Sequence, residues 1–176
     1  MKIIAFGASN HRKSINKQLA VYAASLFKNA EVEILDLNDY EMPIYSIERQ
    51  EKGFPEEANK FLEKVDSADL IIISFAEHNG SYAVAYKNLF DWASRIRMKV
   101  YENKPVLLLA TSPGQGGAQS VLSSAVASFS LPYYGAKLLG SFSLPDFYDN
   151  FDEEKGQIIN NEFDTKLKEI LSHVSI

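Results

Sequence analysis

No cysteine occurs among the 176 residues, and that absence excludes disulfides, thiolate metal sites and cysteine nucleophiles. Histidine is scarce: His11, His78 and His173 stand far apart with no ligand spacing around them, so no metal site is expected. Basic residues neither outnumber the acidic ones nor cluster. With 18 Lys and Arg against 23 Asp and Glu the net charge is −5, which gives no support to a nucleic-acid partner or an anionic membrane surface. Long hydrophobic runs are also missing. The longest, Leu70 to Phe75 and Val106 to Ala110, fall far short of a bilayer and suit buried strands. The first residues enter a strand directly, without a signal-peptide pattern, so a soluble cytoplasmic protein is expected.

What remains is an ordinary globular composition, 46% hydrophobic and 23% charged, and residues 1–176 read as one domain with a good-sized core. Apolar strands alternate with amphipathic helices along the whole chain. Strands are predicted at Ile3 to Phe6, Val32 to Leu35, Leu70 to Phe75, Pro105 to Ala110 and Lys137 to Phe142. Helices are predicted from Ser14 to Lys28, from Pro55 to about Asp66, from Ala83 to Arg97, from Ala118 to Phe129 and from Asp152 to Val174. Leu70-Ile-Ile-Ile-Ser-Phe75 shows no alternation, as a central parallel strand covered on both faces requires. Five strands separated by helices predict an α/β three-layer sandwich on a parallel sheet of doubly wound order 2-1-3-4-5. Asp36 to Tyr45, broken by Pro43, reads as a long excursion and a candidate lid; Leu144 to Phe151 reads as an aromatic loop.

In such a sheet the loops after strands one, three and four meet where the strand order reverses, and ligands bind there. Those three loops are the unusual ones. The first carries Ser9, His11, Arg12, Ser14, Ile15 and Asn16 at the start of a helix, whose free N–H groups and positive dipole end suit a phosphate. Ser14 can equally be a plain helix cap, and both readings stand at this point. The second loop offers Ala76, Glu77, His78, Asn79 and Gly80. The third offers Ser112, Pro113, Gly114, Gly116 and Gly117, where glycine lets a flat ring approach backbone N–H groups. One phosphate and one flat polar ring describe FMN. A receiver domain of the same topology is excluded, because acidic residues are absent where Phe6-Gly7 and Phe75-Ala76 stand.

Taken together, Gly7-Ala8-Ser9 with Ser14-Ile15-Asn16, then Ala76-Glu77-His78-Asn79-Gly80-Ser81 with Lys87-Asn88 and Asp91-Trp92, then Ser112-Pro113-Gly114 with Gly116-Gly117, resemble the NADPH-dependent FMN reductase family. The resemblance runs from about residue 2 to 140. It implies a flavodoxin-like fold, bound FMN, and NADPH or NADH as hydride donor. It also implies a small-molecule electron acceptor such as flavin, quinone, azo compound or chromate, and a homodimer or homotetramer. By the same resemblance Ser9, Ser14 and Asn16 fall on the phosphate positions with the backbone of Ile15, the second loop lies along the ribityl chain and ring edge, and the third faces the pyrimidine side. The chain departs from the family pattern in having His11 then Arg12 where the family has one Arg, and Ala76 and His78 in place of Pro and Tyr. No catalytic residue is required of the protein, since the cofactor carries the chemistry. The alternative is an electron carrier of the same fold without a nicotinamide site.

Overall fold

The computed structural model describes residues 1–174, and its centre is the strand expected to be most buried. Strand β3, Leu70–Phe75, is fully buried along its length. It pairs in parallel with β1, Lys2–Ala8, on one side and with β4, Lys104–Thr111, on the other. Strand β2, Glu31–Ile34, lies outside β1, and β5, Ala136–Leu144, outside β4. The order β2-β1-β3-β4-β5 with every pairing parallel is the doubly wound arrangement expected. β1 runs two residues further than the sequence suggested, carrying Gly7 and Ala8 into the sheet.

Each face of the sheet is covered because its three inner strands, β1, β3 and β4, are apolar on both. One face packs under α1, Ile15–Ser25, and α5, Asn161–Ser172: Ile3, Ala5, Ile72 and Leu109 meet Leu19, Ala23, Leu167 and Leu171. The other packs under α2, Glu56–Ser67, α3, Val84–Ile96, and α4, Gln119–Phe129: Ile4, Phe6, Ile73 and Leu108 meet Phe61, Leu89, Trp92 and Val121. Burying a side chain such as Phe61 or Leu89 contributes about 1.5–3 kcal/mol, so the two cores dominate the stability of the sandwich.

Two expectations are corrected. The last helix begins at Asn161 rather than Asp152. Phe151–Asp152 and Gln157–Ile158 instead form a small antiparallel pair. Its turn is set by the Asp152 carboxylate, which accepts the N–H groups of Glu154 and Lys155, and by Gly156 at φ 64°. Asn160 then caps the helix through the Glu162 N–H. The aromatic loop contains a single helical turn, Phe147–Asn150, and is pinned by Phe147 and Phe151, buried and stacked at 4.7 Å. The excursion after β2 makes a 3-10 turn at Leu37–Tyr40, and a helical turn follows at Ile47–Gln50.

Lys17 on α1 holds Asp36 at the end of β2 at 2.8 Å. That ammonium is the main cause of lowering the Asp36 carboxyl to about 2; partial burial opposes it, and the Asn38 N–H adds to the lowering. A carboxyl lowered in the folded state stabilises the fold above its unfolded value near pH 4 and loses that contribution as pH falls towards the folded value. Asp36→Asn should therefore lower the urea midpoint at neutral pH. The gap to wild type should shrink as the pH drops from about 4 towards 2. A gap independent of pH would show that the pair adds nothing to folding.

Candidate FMN site

The loops leaving β1, β3 and β4 converge on one cavity of about 190 Å³. The first loop is shaped by its own side chains. Ser9 Oγ accepts the His11 N–H at 3.1 Å, and the Ser14 N–H donates to the His11 carbonyl at 3.1 Å. Ser14 Oγ then accepts the Lys17 N–H at 3.2 Å, so Ser14 is the cap of α1 and its hydroxyl hydrogen is left to donate to a guest. The N–H groups of Ile15 and Asn16, the first two of α1, have no intrahelical carbonyl to bond. Together with the nearly buried hydroxyls of Ser9 and Ser14 they make a neutral donor set at the positive end of a helix.

Asn16 is placed at the cavity, but its side chain turns inward. Its Nδ2 donates to the Thr111 carbonyl at 3.0 Å, while Oδ1 accepts from Ser74 Oγ at 2.7 Å and the Thr111 N–H at 3.0 Å. All of these atoms are buried, and they tie the start of α1 to the ends of β3 and β4. What Asn16 offers a phosphate is chiefly its backbone.

The second loop is a hairpin. Glu77–His78 pairs with Ser81–Tyr82, and Asn79 (φ 52°) and Gly80 (φ 76°) form a two-residue turn with both residues left-handed. That is the turn an Asn-Gly pair specifies. Ala76, Glu77 and His78 line the cavity; Asn79 and Gly80 lie at the hairpin tip outside it. The Glu77 carboxylate accepts the Val121 N–H at 2.9 Å in the first turn of α4. This helix has Ala118 at its cap position, at φ 56° and with no side-chain acceptor, so Glu77 supplies the missing cap from a distant loop.

The third loop is held from beneath. Ser112 Oγ donates to the Gly114 carbonyl at 3.1 Å, the Phe147 N–H to the Ser112 carbonyl at 3.1 Å and Ser143 Oγ to the Gly117 carbonyl at 2.7 Å. Gly117, at φ +54°, has no room for a side chain, since a Cβ would stand 2.3 Å from Ser143 Oγ. Gly114 and Gly116 are different: a Cβ on either would meet nothing within 4 Å. They form an open shelf beside the cavity, bare of side chains and backed by fixed backbone.

Ten of the sixteen residues singled out from the sequence line the one cavity, Ser9, His11, Ser14, Ile15, Asn16, Ala76, Glu77, His78, Ser112 and Pro113. Gly114, Gly116 and Gly117 do not line it; the first two form the open shelf and Gly117 packs against Ser143. Arg12 stands in a separate cleft of about 480 Å³ with Lys13, Lys17 and Glu153, which shares only Ser14 with the first. Thr111 also lines the cavity and was not anticipated; its Oγ1 donates to the Leu144 carbonyl at 2.6 Å. No group of residues that could hold a metal occurs among those described, and no described helix is long and apolar enough to cross a membrane.

A donor-lined pocket for an anion and a bare glycine shelf, at the switch point of a doubly wound sheet, define a flavodoxin-like mononucleotide-binding protein, and the residues present suit FMN. The chain belongs to the NADPH-dependent FMN reductase family, whose model matches residues 1–149. It is thus an NAD(P)H-dependent FMN oxidoreductase. A Burkholderia protein described as 2-hydroxy-1,4-benzoquinone reductase is 32% identical over 92% of this chain and 87% of its own length. An Arabidopsis thaliana NADPH:quinone oxidoreductase is 27% identical over 97% and 88%. Among solved structures, the flavoenzyme NAD(P)H:(acceptor) oxidoreductase FerB of Paracoccus denitrificans superposes with a TM-score of 0.75 at 22% identity, covering 98% of this chain and 94% of that one.

Proposed function

We propose that FMN is held with its phosphate against Ser9, Ser14 and the N–H groups of Ile15 and Asn16. Its chain runs past Ala76 to His78, and its ring lies on the shelf of Gly114 and Gly116. The observation that carries this reading is the convergence of all three loops on one cavity at the carboxyl ends of β1, β3 and β4. When bound, FMN accepts hydride from a nicotinamide and passes electrons to a second substrate. The protein's share is to bind the phosphate with neutral donors while the Glu77 carboxylate is engaged by the Val121 N–H, to keep one ring face open, and to aim fixed backbone donors at the ring where negative charge gathers. Glu77 contributes as a support that locks the second loop to α4 and so holds the walls of the site in register.

The acceptor is proposed to be a small flat molecule of the quinone type. The descriptions of the Burkholderia and Arabidopsis relatives support that class. A homodimer or homotetramer is proposed from the exposed apolar side chains Val84 and Met98, 67% and 66% exposed, at the start of α3 and just past its end, with Ile44 and Tyr133 exposed nearby. The cytoplasm, which holds the NAD(P)H pool, is the proposed setting.

Gly116→Val tests the ring's position. The added side chain meets no protein atom within 4 Å at its Cβ, so the fold should keep its thermal midpoint while FMN affinity falls at least about tenfold by steric exclusion. Unchanged affinity would place the ring elsewhere.

A further inference from the structure

A second cavity, of about 290 Å³, opens beside the first, and the two share His78. Its remaining walls come from Asn10 in the first loop, from the excursion after β2, chiefly through Tyr40, Glu41, Met42 and Ile44, and from Val84 and Asn88 on α3. A connection of this length with a proline in it has no ladder to fix its path, and Pro43 lacks the N–H that could join one.

Two residues one turn apart on α3 supply what the connection lacks. Asn88 Oδ1 accepts the Tyr45 N–H at 2.9 Å, and its Nδ2 donates to the carbonyls of Met42 at 3.1 Å and Pro43 at 3.2 Å. The Trp92 indole N–H donates to the same Pro43 carbonyl at 2.8 Å. The indole also meets the Tyr45 ring edge-on at 5.2 Å. Arg49 closes the connection from its far side by donating to the Ile44 carbonyl. Met42 and Ile44, which line the cavity, thus hang from a backbone held by Asn88 and Trp92.

We propose that this second cavity seats the molecule that exchanges electrons with the flavin ring, and that Asn88 and Trp92 are positioning residues that set its width. The proposal rests on the placement of FMN given above. Neither residue touches the 190 Å³ cavity, so their effect falls on the second substrate and not on the cofactor. The cavity offers the Asn10 amide and His78 as donors to a carbonyl oxygen, and Met42 and Ile44 as an apolar wall against a ring face.

Two variants separate positioning from folding. Trp92→Phe keeps a buried ring in the core and removes the N–H with part of the indole's volume; Asn88→Ala removes three hydrogen bonds and leaves the indole in place. The first measurement is amide exchange at Tyr45 in the FMN-free protein, expected to quicken about tenfold or more in Asn88→Ala. The second is the oxidative half-reaction with 1,4-benzoquinone. Its apparent dissociation constant should rise about fivefold or more in both variants, with the limiting rate and the FMN dissociation constant within about twofold of wild type. Benzoquinone affinity unchanged in variants that hold FMN normally would overturn the proposal. So would an equal loss of FMN affinity, which would make the connection a support for the cofactor. Failure of the wild type itself to hold FMN would refute the underlying placement, and the wild-type control alone reveals it.

Discussion

Ser14→Asp should cost at least about two orders of magnitude in FMN affinity while leaving the unfolding midpoint where it was. The two halves of that expectation come from the two things Ser14 does. As the cap of α1 it accepts the Lys17 N–H, and aspartate accepts the same bond as well as serine does. Helix and fold therefore lose nothing, and the far-UV circular dichroism should not change. At the cavity, however, a carboxylate replaces a neutral donor directly beside the place proposed for a phosphate dianion. Two like charges about 4 Å apart repel by roughly 4 kcal/mol per charge pair at an effective dielectric of 20. Arg12 and Lys13, exposed in the adjoining cleft, are screened by water and offset little of this. FMN held at wild-type affinity by Ser14→Asp would remove the phosphate from the start of α1.

The largest effect on the fold should come from Gly7→Ala. Gly7 lies within β1, directly beneath the first turn of α1, and a Cβ there would stand 2.5 Å from the Lys17 nitrogen and 2.8 Å from its Cα. Both are backbone atoms, so no rotamer change relieves the overlap. Either β1 or the start of α1 must move, and the start of α1 is pinned by Asn16 to Thr111 and Ser74. A loss of about 3 kcal/mol or more is expected, a fall in melting temperature of roughly 6–12 °C for a chain of this size. The same displacement withdraws the N–H groups of Ile15 and Asn16, so FMN affinity should fall with stability. A variant as stable as wild type would mean that the approach of helix to strand is looser than 2.5 Å implies. The shortest side chain that exists is what this contact demands; glycine's conformational freedom plays no part.

The sheet was legible because burial on both faces writes itself into one stretch of chain. Leu70 to Phe75 lacks alternation for that reason alone, and it is the middle strand. The ends of elements were less legible. Asp152 to Gly156 carries charges at helix-compatible spacing, yet the Asp152 carboxylate bonds its own N–H neighbours, and Gly156 takes a left-handed conformation that stops a helix. For the second loop the one local signal is Asn79-Gly80, because the strands on either side are two residues long and show no alternation of their own. The candidate site was legible as three loops and not as roles within them. Asn16 looks like a phosphate ligand until Thr111, 95 residues away, engages its side chain. Glu77 looks free to meet a cofactor until Val121, 44 residues away, presents an N–H. Asn88 and Trp92 carried a family resemblance with no chemistry attached, and only the path of the excursion after β2 shows what they hold. Such partnerships join distant parts of the chain, and no local pattern encodes them.

The central claim is that the three loops hold FMN in a form a nicotinamide can reduce. It is tested most directly by loading the purified protein with FMN, desalting it, and following its absorbance anaerobically as NADPH or NADH is added. A stoichiometric flavin band that survives desalting and bleaches on addition of at least one of the two nucleotides is the predicted result. A protein that emerges without flavin, or whose bound flavin neither nucleotide reduces, would contradict the account.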